Sequence, residues 1–106
     1  MMNPTQATAY LNRLAIVESQ IFITPHARTR APERGKYPLL ASQIIACIRH
    51  GMVTEGPYDD PKWPGKLKCT VTRVRDGEHH ECVVSFDPAG PPVVVITAYE
   101  WRRRVR

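Results

Sequence analysis

Long hydrophobic runs are missing from this sequence. The longest strongly apolar run, Val93–Ile96, is far shorter than the roughly 20 residues that a membrane-spanning helix needs. The first residues, Met1–Gln6, also lack the basic and apolar regions of a secretory signal. We therefore expect no membrane partner and a cytoplasmic location.

Cysteine is scarce, and its number is odd. The three cysteines, Cys47, Cys69 and Cys82, are widely spaced, which argues against a disulfide framework and favours a reducing compartment. We expect all three to behave as small buried hydrophobic residues.

Several catalytic and metal-binding motifs are absent as well. The chain has no glycine-rich phosphate loop, no Gly-x-Ser-x-Gly turn and no paired-cysteine zinc motif. His79-His80-x-Cys82 is the nearest approach to a metal site, but adjacent residues on a strand point to opposite faces. We therefore predict neither a metal nor another cofactor.

The chain has enough residues for one hydrophobic core. At 106 residues, 42% hydrophobic and 24% charged, it has the composition of a single folded domain, residues 1–106. Within it we distinguish a helical extension (residues 1–22), a central part (residues 23–100) and a basic tail (residues 101–106).

Positive charge exceeds negative charge, and it is unevenly spread. The formal net charge is +5. Two short segments hold many of the basic residues: Arg28, Arg30, Arg34 and Lys36 in the first, and Arg102, Arg103, Arg104 and Arg106 in the second. Such clusters are typical of a polyanion-binding surface, and equally of a solvated face with a solubilising tail.

Apolar spacing in the first half predicts helices. Apolar residues recur at three- and four-residue steps from Ala7 to Ile21, where Thr5 is the expected cap. A second helix is expected to start at Thr24-Pro25 and stop at Gly35, with Pro32 as a potential kink. A third is expected from Pro38 to His50, with Gly51 as its terminator.

The second half shows the shorter period of β-strands. We predict strands over Met52–Glu55, Leu67–Arg75, Glu81–Phe86 and Val93–Tyr99, with a proline-rich loop from Gly56 to Gly65. Asp76-Gly77 is a hairpin turn signal. The predicted fold is therefore α+β, with two to three N-terminal helices packed on a four-stranded antiparallel meander.

The segment His26–Gly35 carries the most unusual chemistry. If it is helical, His26, Arg30, Glu33 and Arg34 share one face, which gives a stripe of four ionisable groups. Only two alanines remain on this segment as small apolar contacts.

This segment resembles a known family. The pattern His-Ala-x-x-Arg-x-x-Glu-Arg-Gly, followed by an isoleucine-rich helix and a β-meander, looks like a small bacterial and phage family of unknown function. That family is similar in layout to the RelE and BrnT toxins. The resemblance implies a RelE/BrnT-like fold and, where the domain is active, RNA cleavage without a metal.

One hypothesis is therefore a metal-independent endoribonuclease. His26 would serve as general base or acid, because imidazole titrates near neutrality. Arg30 and Arg34 would hold the phosphate, and Thr97 or Tyr99 would donate hydrogen bonds to it. RNA or the ribosome would be the target of this activity, and an antitoxin would be a protein partner.

The alternative hypothesis is a non-catalytic module that binds nucleic acid or an acidic protein, for example a phage-encoded inhibitor of bacterial defence. Exposed aromatics such as Tyr58, Trp63 and Trp101 would stack on bases, and the arginines, Arg28 and Arg102–Arg104 among them, would contact phosphates. A purely structural interpretation also stands, in which Arg30 and Arg34 pair with Glu33, Glu55 or Glu100 and fasten the helix to the sheet.

Overall fold

A computed structural model describes residues 2–29 and 35–102. The elements in chain order are α1 (Pro4–Leu14), a 3-10 turn (Glu18–Gln20), β1 (Ile21–Ile23), α2 (Pro25–Thr29), β2 (Lys36–Tyr37), α3 (Ala41–His50), β3 (Met52–Asp59), β4 (Leu67–Arg75), β5 (Glu78–Asp87) and β6 (Gly90–Trp101). The predicted α+β class is confirmed. None of the described helices has the length and apolarity needed to cross a bilayer.

The sheet has six strands, so the predicted number of four is wrong. Strands β3 to β6 form the expected antiparallel meander, and the order across the sheet is β1-β6-β5-β4-β3. The two additional strands both pair with β6, β1 in parallel and β2 antiparallel. At three and two residues they are too short to show an alternating pattern in the sequence.

Helix α1 starts earlier and ends sooner than predicted. Its cap is Asn3 rather than Thr5: the Asn3 side chain accepts from the Gln6 amide at 2.8 Å, and the Gln6 side chain accepts from the Asn3 amide at 3.0 Å. The helix ends at Leu14, and Ile21 lies in β1. The three- and four-residue spacing of apolar residues therefore continues beyond the end of the helix, into β1.

Helix α2 starts where the sequence predicted. Thr24 Oγ1 accepts a hydrogen bond from the Ala27 amide at 3.2 Å and donates one to the Val95 carbonyl at 2.8 Å. The cap thus also ties the helix to β6. The expected continuation through Pro32 lies outside the described residues, and Gly35 has the expected positive φ, 83°.

Helix α3 begins at Ala41, three residues later than predicted, and ends as expected before Gly51. Gly51 is not in a left-handed conformation, since its φ is −84°. A Cβ at this position would press on the Cys47 carbonyl and lie 2.7 Å from the Thr72 carbonyl oxygen. The glycine is therefore needed for close approach of the helix end to β4.

Helices α1 and α3 pack on one face of the sheet and form the core with it. The buried apolar residues include Leu11 of α1, Ile44 and Ile48 of α3, and Val84 and Phe86 of β5. Buried residues of α1 and of residues 23–100 belong to the same apolar cluster. The opposite face of β6 is lined by half-buried and exposed side chains, which matter for the site described next.

Candidate nucleic-acid interface

Three segments from the first half of the chain lie along β6. Strand β1 pairs with its first half, from Ile21 opposite Val93 to Ile23 opposite Val95. Strand β2 pairs with its last residues, with Lys36 opposite Trp101. Helix α2, between these strands in the chain, also contacts β6. Strand β6 is therefore the element that gathers the candidate functional segments.

The two basic segments meet at one hydrogen bond. The backbone amide of Arg102 donates to the carbonyl oxygen of Gly35 at 3.0 Å. In the sequence, Arg34 immediately precedes Gly35 and Arg103 immediately follows Arg102. We call Gly35, Lys36 and Arg102 the basic junction, because both arginine-rich segments are attached to it.

Two cations of this junction, Lys36 and Arg102, lie against aromatic rings. Lys36 Nζ lies 4.5 Å from the ring centroid of Tyr99 and 4.9 Å from that of Trp101. The two rings contact each other edge to face, with centroids 5.8 Å apart. The Arg102 guanidinium carbon lies 4.3 Å from the Tyr37 ring centroid. Tyr37 and Arg102 alternate with Lys36 and Trp101 along their strands and lie on the face that carries Glu100. We therefore call only Lys36, Tyr99 and Trp101 the cation–aromatic cluster.

Carboxylates border the cluster, and each has a partner. The Tyr99 hydroxyl donates to the Glu81 carboxylate, whose other oxygen lies 3.3 Å from His79 Nε2. Arg102 Nε donates to Glu100 at 3.1 Å. The Tyr99 hydroxyl, expected to donate to a phosphate, thus donates to Glu81 in this structure, and its ring contacts Lys36.

The other predicted site residues fall into two groups. His26 and Arg28 are exposed on α2, and Thr97 lies half-buried on β6, opposite Val83 of β5. The remaining residues of the predicted site lie outside the described residues: Arg30, Glu33, Arg34, Arg103 and Arg104. The stripe that joins His26 to Arg30, Glu33 and Arg34 therefore stays a prediction.

Sequence reasoning did not place Lys36 and Tyr37 beside Tyr99. Their position follows from β2, whose register sets Lys36 opposite Trp101 and Tyr37 opposite Glu100. The sequence signal that could have identified them is a basic residue followed by an aromatic one, Lys36-Tyr37, directly after Gly35.

The two adjacent histidines of β5 point to opposite faces of the sheet, as predicted. His79 Nε2 faces Glu81, whereas the buried His80 places its Nε2 3.4 Å from Glu78 and 3.7 Å from Glu100. Among residues 2–29 and 35–102, no group of three or more His, Cys, Asp or Glu side chains is placed to hold a metal ion.

Two of the buried cysteines, Cys69 and Cys82, are not nucleophile candidates. Hydrogen bonding with Cys47 and burial raise the pKa of the Cys82 thiol well above its ordinary value. Burial raises the pKa of the Cys69 thiol to about 12. Neither thiol therefore ionises near neutral pH.

Comparison with known proteins gives one match. The sequence model of a protein family, described as a domain of unknown function (DUF4258), matches residues 23–100. No curated protein and no solved structure matches the chain. The matched span contains the last residue of β1, all of β2 to β5 and most of β6, and α1 lies outside it.

Proposed function

The chain belongs to the DUF4258 family of domains of unknown function, and from its geometry we propose that it binds single-stranded RNA through the cation–aromatic cluster. The supporting observation is the placement of Lys36 against the Tyr99 and Trp101 rings. Aromatic side chains stack on unpaired bases, and neighbouring cations contact the phosphates, in many proteins that bind single strands.

The charge around the cluster favours a polyanion. The chain has a formal net charge of +5, and the basic junction joins its two arginine-rich segments. The bordering carboxylates Glu81 and Glu100 are engaged by Tyr99 and Arg102. We prefer RNA over DNA because the family that the His26–Gly35 pattern resembles is similar in layout to the RelE and BrnT toxins, which cleave RNA where they are active.

Fluorescence anisotropy with a labelled single-stranded RNA tests this proposal. We expect Trp101→Ala to weaken binding by about fivefold or more, because stacking on one base contributes roughly 1–3 kcal/mol. Leu40→Ala removes an exposed apolar side chain that precedes α3 and serves as the matched control.

Salt dependence provides the second readout. Affinity should fall as salt rises, and Lys36→Ala should make this dependence shallower if it removes a phosphate contact, by about 0.7 in log–log slope. Absence of binding at low salt, or an affinity indifferent to salt, would refute the proposal.

A second candidate is cleavage of the bound RNA without a metal. The contact between α2 and β6 favours it, because it brings the helix of His26 to the strand of Thr97 and Tyr99. His26 would act as general base or acid, and Arg30 and Arg34 would stabilise the phosphate charge. An antitoxin would then be the expected protein partner.

His26→Ala separates cleavage from binding. We expect this variant to retain RNA affinity and lose cleavage, whereas His50→Ala, an exposed histidine at the end of α3, should retain both. If the wild-type protein leaves total RNA and translating ribosomes intact, cleavage is refuted and binding is judged from the anisotropy data alone.

A further inference from the structure

Aromatic side chains lie at both ends of the face of β6 opposite α1 and α3: Tyr99 and Trp101 of β6 itself at one end, and Phe22 and Trp63 of other segments at the other. Val93, Val95 and Ala98 are buried in the core, so the intervening residues face the other way. The residues on that other face are Val94, Ile96, Thr97, Tyr99 and Trp101. A register shift opposite Val83–Val84 places Ile96 and Thr97 consecutively on it.

An apolar cavity lies at the end of this face away from the cation–aromatic cluster. It has a volume of about 220 Å³, and its lining includes Phe22, Trp63, Val94 and Ile96. Phe22 is 55% exposed and Trp63 is 56% exposed. We call this cavity the distal pocket.

Lysine side chains lie beside the distal pocket, as Lys36 lies beside the aromatic rings of the cluster. Lys62 Nζ lies 5.7 Å from the Trp63 ring centroid. Lys66 also lines the cavity, and its Nζ lies 3.4 Å from Asp87. An aromatic ring beside a lysine therefore occurs at both ends of the same sheet face.

The loop that carries Trp63 is held firmly to the sheet. Asp60 accepts a hydrogen bond from the Ser85 hydroxyl at 2.7 Å and one from the Lys62 amide at 2.9 Å. The Lys66 amide donates to the Trp63 carbonyl at 3.1 Å. The half-exposed ring is thus presented by a fixed loop, which lowers the entropy lost on binding a flat ligand.

Between the two ends the face has no charged residue on β6. Thr97 lies there, opposite Val83 of β5. Val94 and Trp101 pair with Ser85 and His79, which are six residues apart on β5, so the two positions are separated by roughly 20 Å at about 3.3 Å per residue. A stacked strand advances about 3.4 Å per nucleotide, so about six nucleotides cover this distance.

We propose that one RNA strand lies along β6 and places a base in the distal pocket while another base stacks in the cation–aromatic cluster. This inference rests on the proposed function and specifies its ligand as an unpaired strand of about six nucleotides or more. A duplex is a poor fit, because its bases are paired and stacked on each other.

The two tryptophans allow each end to be observed separately, because the chain has no others. In Trp101→Phe the fluorescence reports on Trp63, and in Trp63→Phe it reports on Trp101. Each variant is titrated with single-stranded oligonucleotides of about three and about twelve nucleotides, and with a hairpin duplex. Anisotropy of the labelled longer strand is measured in parallel.

We expect both lengths to change Trp101 fluorescence and only the longer strand to change that of Trp63. Phe22→Ala should weaken binding of the longer strand about fivefold or more and leave the short one within about twofold. Ile16→Ala, an exposed apolar residue just after α1, is the matched control and should change neither affinity.

The outcomes distinguish the two proposals. No response of Trp101 to any strand refutes the proposed function and this inference with it. A response of Trp101 without any response of Trp63 refutes the path along β6 alone. Equal responses of Trp63 to short and long strands, or to the duplex, also overturn the path, because the pocket then acts independently of strand length.

Discussion

The backbone amide of Arg102 donates a hydrogen bond to the carbonyl oxygen of Gly35 at 3.0 Å. This bond continues the pairing of β2 with β6 by one residue beyond Lys36 and Trp101. It depends on a turn at Gly35, whose φ of 83° is unfavourable for any residue with a Cβ. The position of the cation–aromatic cluster therefore depends on a glycine.

Gly35→Ala is expected to lower the free energy of unfolding by about 1–2 kcal/mol, the cost of a left-handed conformation in a non-glycine residue. Gly77→Ala is the control with matched strain, because its φ is 80° and a Cβ there would meet nothing within 4 Å. Urea unfolding should show similar losses for both variants. RNA affinity should fall in Gly35→Ala alone, and an equal fall in both would contradict a local role for the junction.

Thr24→Val is expected to destabilise the protein by about 1 kcal/mol or more, because it removes the helix cap and the hydroxyl bond to Val95. Thr24→Ser retains the hydroxyl and should recover most of the loss. Thermal unfolding of the two variants measures the difference. Equal melting temperatures would show that the hydroxyl is dispensable.

Asp60 should contribute stability that depends on pH. Burial alone would raise the pKa of its carboxyl, but the hydrogen bonds from Ser85 and from two backbone amides, with the charge of Lys68, lower it below the ordinary 3.8. A lowered folded-state pKa gives stability that is fully present above the unfolded-state value and is lost as pH falls through the folded-state value.

Asp60→Asn should therefore lower the free energy of unfolding by about 1–3 kcal/mol at neutral pH. The difference in the free energy of unfolding between Asp60→Asn and wild type should shrink as the pH falls below about 4. Asp59→Asn, on the exposed neighbouring residue, should have little effect. Urea unfolding at several pH values provides the measurement, and a difference that grows in acid would contradict the assignment.

The three cysteines should resist thiol reagents in the folded protein. All three are fully buried, and burial raises the pKa of Cys69 to about 12. Ellman's reagent should label them only at the rate of unfolding, and at once in guanidinium chloride. Rapid labelling of even one thiol under native conditions would show that the core opens readily.

The meander was predictable because its strands carry their own signals. Asp76-Gly77 forms the predicted two-residue turn between Arg75 and Glu78, and both turn residues have positive φ. Buried positions also alternate along β4 and β5. Local sequence was sufficient here because each strand pairs with its neighbour in the chain.

The candidate interface was less predictable because it depends on pairings between distant segments. Strand β1 has three residues and β2 has two, and only β6 gives them partners. The approach of Lys36 to Tyr99 follows from that register and from no local pattern. The sequence identified the basic segments and several of the aromatic residues but could not show which of them meet.

Strand β6 is also the last of the six strands to be synthesised. When β1 and β2 leave the ribosome, the strand with which they pair has not yet been made. The meander can begin to form from β3, β4 and β5, whereas the edge that carries the candidate interface must wait for residues 90–101. Assembly of the candidate interface would therefore coincide with completion of the sheet.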